Sequence, residues 1–130
     1  MINLLNYLEF RQYPTNFILA NELDECIEIL FIENGSYNIG YEINKKIYFR
    51  KQRGSLSIIG GFQICNKWRF EFIYQTCTIV KAQSIRKENF IKLINKWSFF
   101  RTAINMKFYK DYHDKVYLPM IKRKNMDVID

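Results

Sequence analysis

Few side chains in this sequence have the types and spacing that catalysis requires. His113 is the only histidine, and it stands between Asp111 and Asp114 in YKDYHDK, which favours a solvated side chain over a catalytic base. Asp24 and Glu25 are adjacent in NELDE, a segment typical of an exposed turn. The phosphate-loop, zinc-protease and serine-hydrolase motifs do not occur in the sequence. The sequence therefore argues against an enzyme.

The three cysteines have neither metal-ligand nor disulfide spacing. Cys26, Cys65 and Cys77 are odd in number and form no Cys-x-x-Cys or Cys/His pattern. Catalysis by Cys65 or Cys77 with His113 would need an orienting partner, which nothing in the sequence indicates. We therefore predict no metal site and no disulfide framework, and a reducing compartment as the simpler setting.

Positive charge is concentrated in the C-terminal third of the chain. The length of 130 residues suits one domain with its own core. Residues 86–124 carry eleven Lys/Arg and three Asp/Glu, a balance of +8, within a net charge of +7 for the whole chain. A solvated helix face is the simplest interpretation. A nucleic-acid surface and contact with an anionic inner leaflet of a membrane are alternatives, of which we favour the leaflet.

Targeting and membrane segments are not evident in the sequence. The start, MINLLNYLEF, lacks a basic region followed by a sustained apolar run, so it does not resemble a secretory signal. No window approaches the roughly 20 apolar residues that a membrane span requires. We expect a soluble, intracellular chain.

Residues 8 to about 85 have the pattern of a β-rich domain. Short segments rich in Ile, Phe, Tyr and Val alternate with turn residues. Eight such segments predict a small antiparallel barrel or jelly roll. They span residues 8–12, 16–21, 27–33, 36–44, 47–53, 55–60, 69–76 and 77–85.

The two central segments carry the strongest local signals. In SYNIGYEIN, Tyr37, Ile39, Tyr41 and Ile43 alternate with small or polar residues, as in a half-buried strand. Asn34-Gly35 lies between two such segments and predicts a hairpin with a type I′ turn. Gly40 predicts a bend or a close backbone approach in a curved sheet. We interpret both glycines as structural.

The apolar period changes to that of helices after Ile85. One short amphipathic helix is predicted around Phe90–Trp97. Pro119 is expected to end or kink a second, longer helix near Leu118, and the polar segment that follows is expected to fray. The longer helix carries an apolar residue at every fourth position, with Ala103 beside them: Phe100, Ile104, Phe108, Tyr112, Val116 and Met120.

A mainly β domain with C-terminal helices, an eight-stranded antiparallel roll followed by a short and a long α-helix, resembles the cyclic-nucleotide-binding domain. NFILANELDECIEILFIENGSYNIGYEI is similar to the early strands of that family, GSLSIIGGFQICNKWRFEFIYQT to its phosphate-binding cassette, and IRKENFIKLI to the start of its penultimate helix. EILFIENGSYNIGYEINKK, IIGGF and SIRKENF are most similar to the cytoplasmic domains of voltage-gated cation and potassium channels, particularly those of ciliates. The resemblance implies a domain over residues 8–120, with the roll at 8–85 and two helices at 87–118, and a polar tail at 121–130.

The resemblance places a nucleotide site in the cassette. It implies contacts from Gly60, Gly61, Phe62, Gln63 and Arg69. In competent members of the family a glutamate binds the ribose and an arginine followed by Ser/Thr-Ala binds the phosphate. Gly61 stands where the glutamate is expected, and Arg69 lies one residue early and precedes Phe-Glu. We therefore expect weak or absent binding of cAMP or cGMP.

The family also suggests what fills an unused site. In channel domains of the ether-à-go-go type, residues after the last helix occupy the nucleotide position. Here the candidates for such a plug are Tyr117, Leu118, Met120, Ile121 and Met126.

The resemblance implies a cytoplasmic regulatory domain at the inner face of a membrane. Its expected partners are a channel pore domain or sister subunits, with cAMP or cGMP as the ligand if one binds, and no nucleic acid. An alternative is a structural or protein-interaction domain of the same fold that takes no ligand. A DNA-binding regulator would need a helix-turn-helix for which no room remains after residue 120.

Overall fold

Eight strands form two four-stranded sheets. The computed structural model describes residues 4–129, and it begins with a short 3₁₀ turn at Leu4–Tyr7. The first sheet has the order β1-β8-β3-β6 and the second has the order β2-β7-β4-β5, with antiparallel pairing throughout. The strands are β1 (Leu8–Tyr13), β2 (Ile18–Ala20), β3 (Glu28–Asn34), β4 (Tyr37–Ile43), β5 (Lys46–Arg53), β6 (Ile58–Ile59), β7 (Ile73–Thr76) and β8 (Val80–Arg86). The predicted jelly roll is confirmed.

The hairpin predicted at Asn34-Gly35 is wrong. Strands β3 and β4 lie in different sheets, so this dipeptide joins the two sheets at a corner. Gly35 has φ 98°, and a Cβ atom there would collide with the carbonyl oxygen of Ile79. The type I′ geometry occurs instead at Asn44-Lys45, where both residues have positive φ (52° and 66°) between the paired strands β4 and β5.

Strand β4 contains both the centre of the core and the predicted bend. The side chains of Tyr37, Ile39 and Tyr41 are fully buried, which confirms the predicted period of two. The register against β5 shifts between Ile39 and Gly40, and a Cβ at Gly40 would collide with the backbone of β5. Glycine at this position therefore permits the close approach that the sequence predicts.

The roll carries one helix within it and three after it. Helix α1 (Gly61–Asn66) lies between β6 and β7. Helix α2 (Lys87–Lys96) follows β8 directly and ends at Trp97. Helix α3 (Ser98–Tyr112) leads through a π-helical turn (His113–Tyr117) into α4 (Leu118–Ile129). Among residues 4–129 no helix is long and apolar enough to cross a bilayer.

The prediction that the longer helix ends at Pro119 and the prediction that the segment after it frays are wrong, because α4 runs from Leu118 to Ile129. A kink at Pro119 stays a prediction. Proline lacks an N–H donor, and its ring clashes with the carbonyl four residues earlier in a regular α-helix. The π-turn just before it has wider bonding, because Leu118 N–H donates to the carbonyl of His113. This wider turn leaves room for the ring, and helix α4 continues across position 120.

Only the last four of the six residues in the predicted apolar stripe are buried. Phe108, Tyr112, Val116 and Met120 lie in the core, whereas Ile104 is partly buried and Phe100 and the neighbouring Ala103 are exposed. A strict four-residue repeat drifts around a helix of 3.6 residues per turn. The π-turn reduces this drift for the four buried residues, which pack against the roll.

Candidate functional site

Helix α1 is held against the roll by glycine at its start. Gly60 precedes the helix with φ 96°, and a Cβ there would lie 2.7 Å from both the Sγ of Cys26 and the carbonyl oxygen of Glu28. The helix ends where Trp68 N–H donates to the carbonyl of Gln63 at 2.9 Å. This tight turn and short helix form the cassette that the sequence resembles.

The first residue of α1 lies directly beneath an aromatic ring from α3. A Cβ added to Gly61 would lie 2.8–3.0 Å from three ring carbons of Phe108, which is closer than atoms pack. The ring therefore occupies the space in which a larger side chain at Gly61 would stand. A glutamate at this position would therefore collide with the Phe108 ring in this structure.

The next residue of α1 is covered by a second ring from α3. Phe62 stacks on Tyr112 with ring centroids 4.4 Å apart and planes 10° apart. The hydroxyl of Tyr112 donates to the Oε1 of Glu71 at 3.0 Å, and the Nε1–H of Trp68 donates to the same oxygen at 3.0 Å. Burial, with the neighbouring Tyr74 and Glu71, raises the pKa of Tyr112, so the phenol stays protonated and donates.

Very little free space remains between α1, β7 and α3. The space bordered by Gly60, Gly61, Phe62 and Gln63 measures about 10 Å³, which is the volume that one water needs. Gln63 is buried, and within residues 4–129 its Nε2 has no hydrogen-bond partner. Small-molecule sites usually measure about 300–1,000 Å³. A nucleotide could enter here only if α3 and α4 moved away.

Arg69 lies outside this space. Its side chain is exposed, and its Nη1 donates to the carbonyl of Leu23 at 3.0 Å. The structure thus brings Gly60, Gly61, Phe62 and Gln63 together and leaves Arg69 on the surface. The nucleotide-binding role assigned to the five residues stays a prediction.

A partly buried ion pair ties α3 to the roll, and sequence reasoning missed it. Arg53, at the end of β5, donates from both Nη atoms to the carboxylate of Asp111 at 3.2 and 3.0 Å, and its side chain is only 11% exposed. Burial alone would lower the pKa of Arg53, but the hydrogen bonds to Asp111 and the nearby Tyr37 raise it above its ordinary value. One feature of the sequence could have indicated this pair. Asp111 stands next to Tyr112, which belongs to the apolar stripe of the helix.

A second anchor holds the far end of the helical segment. Asp127 of α4 accepts hydrogen bonds from the hydroxyl of Tyr41 and, at 2.9 Å, from the Nε of Arg50. These two bonds lower the pKa of Asp127. The ammonium of Lys124 lies 5.8 Å from the centroid of the Tyr41 ring. Polar contacts near the C-terminal end of each helix, at Asp111 in α3 and at Asp127 in α4, therefore fix the two helices to the roll.

The five predicted plug residues have different environments. Met120 is buried in the core, and Tyr117 and Ile121 are partly buried against it. Leu118 and Met126 are exposed. The rings over α1 come from Phe108 and Tyr112, which precede the segment in which the plug was predicted.

The remaining chemically competent residues do not form a site. His113 contacts Asp114 at 3.1 Å and stacks between Tyr109 and Tyr117. Burial raises the pKa of the Cys26 thiol to about 12 and that of the Cys65 thiol to about 11, which leaves both largely protonated at neutral pH. In the described part of the chain, no group of three or more His, Cys, Asp or Glu residues could hold a metal ion.

Solved structures that match this architecture include cyclic-nucleotide-binding domains. The chain matches a cyclic nucleotide-binding domain from Methylobacillus flagellatus with a TM-score of 0.69 and 19% identity, covering 88% of this chain and 68% of that one. It matches the regulatory domain of Toxoplasma gondii protein kinase A with cAMP (TM-score 0.65, 13% identity), covering 82% of this chain and 41% of that one. It also matches the regulatory subunit of a cAMP-independent protein kinase A from Trypanosoma cruzi bound to guanosine (TM-score 0.68, 13% identity), covering 85% of this chain and 37% of that one.

These matches define the fold of the chain. It has the cyclic-nucleotide-binding-domain fold, and it spans well under half the length of the two kinase subunits. No protein-family model and no curated protein matches the sequence.

Proposed function

We propose that this chain is a regulatory domain of the cyclic-nucleotide-binding type whose nucleotide position is occupied by its own helix α3. The observation that carries the proposal is the ring of Phe108 packed on Gly61, with about 10 Å³ of space left beside α1. Neither a carboxylate at Gly61 nor the guanidinium of Arg69 is available in that space. Each charged contact contributes about 1.5–3 kcal/mol. Losing two weakens binding of cAMP or cGMP by roughly two orders of magnitude or more.

Calorimetric titration tests this proposal directly. The chain is titrated with cAMP and cGMP up to millimolar concentration, alongside Arg69→Ala and the matched control Arg86→Ala, which removes an exposed guanidinium from the other sheet. We expect no saturable heat from any of the three proteins. Micromolar binding that Arg69→Ala abolishes and Arg86→Ala preserves would show a working nucleotide sensor.

We place the domain in a larger protein, a voltage-gated cation channel. The similarity of EILFIENGSYNIGYEINKK to channel cytoplasmic domains supports this placement. The partners would be the pore domain or sister subunits, on the cytoplasmic side of a membrane. The +8 segment at residues 86–124 would face the anionic inner leaflet. Such a domain acts on its partners without catalysing a reaction.

Binding to liposomes tests the membrane contact. We expect the chain to sediment with vesicles containing 30% phosphatidylserine and to stay in solution with pure phosphatidylcholine vesicles. Equal behaviour with both vesicles would contradict the leaflet contact. It would leave the channel placement to be tested by co-purification with the pore-containing protein.

A second candidate function is a structural or protein-interaction domain in which the helices never leave the roll. The ion pairs near the C-terminal ends of α3 and α4 favour it. Hydrogen exchange distinguishes the two candidates. A regulatory domain predicts that amides of α3 and α4 exchange through a partial opening, at a lower free energy than those of β4 and β8. A structural domain predicts that all of these amides exchange only through global unfolding.

A further inference from the structure

A second space in the molecule is open and almost wholly apolar. It lies between α2, the first three turns of α3 and strands β3 and β8, and measures about 460 Å³. Ten of its eleven lining residues are apolar, among them Phe31, Ile85, Leu93, Ile94 and Ile104. Protein interiors contain few voids larger than a water molecule, and ligand sites usually measure about 300–1,000 Å³. This space therefore has the size and lining of a site for an apolar molecule.

The one charged residue at this cavity is a lysine. Lys107 of α3 lines the cavity, and within residues 4–129 it makes no ion pair. Its surroundings are also positive, because residues 87–112 carry six Lys/Arg against Glu88 and Asp111. Asp111 is bound to Arg53. The rim of the cavity therefore favours an anionic group and disfavours a cationic one.

Aromatic rings stand at the opening of the cavity. Trp97 and Phe100 both line it, with ring centroids 6.1 Å apart, and they are 36% and 47% exposed. Rings that are half in water and half in the cavity gain from contact with an apolar chain. They also place a fluorescent indole at the site.

We propose that this cavity binds a long-chain carboxylate, with the alkyl chain among the apolar residues and the carboxylate at the ammonium of Lys107. The site is separate from the cassette, since the ring of Phe108 lies between the two spaces. The proposal does not depend on whether the cassette binds a nucleotide. No covalent step is involved.

Fluorescence of Trp97 tests the proposal. The variant Trp68→Phe leaves Trp97 as the only tryptophan of the chain. This protein is titrated, below the micelle-forming concentration, with decanoate, with decanol and with decyltrimethylammonium. We expect a saturable blue shift with decanoate, weaker binding of decanol, and the weakest binding of the cation.

Two substitutions locate the ligand. Lys107→Gln is expected to weaken decanoate at least fivefold and to leave decanol unchanged. Its matched control, Lys110→Gln, removes a lysine of the same helix that does not line the cavity, and it is expected to change neither affinity. Ile104→Phe fills the cavity and is expected to abolish binding of both ligands. Shifts of the Ile94 and Ile104 methyl signals in the unmodified chain report on the same contact if Ile104→Phe does not fold.

Several results would overturn the proposal. These are no saturable binding of decanoate, equal affinity for decanoate and the cation, or decanoate binding unchanged by Lys107→Gln. A dimer that Ile104→Phe dissociates and decanoate does not would also overturn it, because the cavity would then hold part of a second copy.

Discussion

The ring of Phe108 lies between two regions of the molecule that differ sharply in free volume. On one side its ring presses on Gly61, and about 10 Å³ remains beside α1. On the other side it borders a cavity of about 460 Å³. The closed region borders Gly60, Gly61, Phe62 and Gln63, for which the sequence predicts nucleotide contacts, and the open region is formed by α2 and the start of α3. The fold thus fixes where helices pack, while individual side chains decide where a ligand can enter.

The two regions also differ in whether their charged side chains form ion pairs. At the closed region, Asp111 of α3 is paired with Arg53 of the roll. At the open region, Lys107 makes no ion pair within the described residues. Paired charges hold a segment in place, whereas an unpaired cation beside an apolar cavity is available to a ligand.

The largest expected effect comes from removing the ring that separates the two regions. Phe108→Ala should lower the free energy of unfolding by about 3–5 kcal/mol, because it deletes a buried ring and joins the two spaces. Urea denaturation measures this change. Phe99→Ala removes a ring of the same helix that is 71% exposed, and it should change stability by only about 0.5 kcal/mol. Similar losses in the two variants would contradict the packing described for Phe108.

The next effect concerns the partly buried ion pair. Asp111→Ala leaves the Arg53 guanidinium, whose side chain is only 11% exposed, without its carboxylate, and should cost about 2 kcal/mol of stability. The control Asp114→Ala removes an exposed carboxylate one turn further on, and should cost no more than about 1 kcal/mol. Chemical denaturation of both variants measures the two losses in the free energy of unfolding. Equal losses would mean that Arg53 and Asp111 do not anchor α3 in solution.

The contact between Gly61 and Phe108 is tested by a smaller effect on stability, whose sign depends on whether Phe108 is present. Gly61→Ala should destabilise the chain by about 1–2 kcal/mol, because its Cβ meets the Phe108 ring. In the Phe108→Ala background the clash is gone, and the same substitution should stabilise α1 by up to about 1 kcal/mol through helix propensity. A double-mutant cycle measures the difference. The same sign in both backgrounds would show that the two residues are not in contact.

The smallest effect is the pH dependence of the α4 anchor. Hydrogen bonds from Tyr41 and Arg50 hold the pKa of Asp127 below its ordinary value of 3.8. The folded state thus favours the carboxylate, so this contribution is present at neutral pH and is lost as the pH falls through the lowered pKa. Urea midpoints of the chain and of Asp127→Asn should converge on acidification from pH 7 to pH 3. A difference that persists unchanged to pH 3 would contradict the anchor.

Strand content and the bend at Gly40 could be predicted because their causes are local. Alternation of apolar residues over seven positions is enough to define β4, and a glycine within it marks a close approach. The pairing of strands is not local, which is why Asn34-Gly35 was assigned to a hairpin although β3 and β4 belong to different sheets. Asn34-Gly35 and Asn44-Lys45 both suit positive φ. Only the order of the strands in the two sheets shows which of these turns forms a hairpin.

The closed cassette could be predicted only in part. The missing glutamate at Gly61 is visible in the sequence, but the ring that replaces it comes from a residue 47 positions later. The stripe that contains Phe108 was identified as the face of a helix, but a stripe does not say which surface it covers. Continuation of α4 past Pro119 also depends on a non-local cause, since the π-turn forms where Val116 and Met120 both pack into the core.

The central claim is that α3 occupies the cassette in solution, and one measurement tests it most directly. Nuclear Overhauser contacts between the α-protons of Gly61 and the ring protons of Phe108 should appear in the ligand-free protein. They should persist unchanged at millimolar cAMP. Absence of these contacts in the free protein, or their loss when cAMP is added, would show that the helix does not fill the site and would contradict the account.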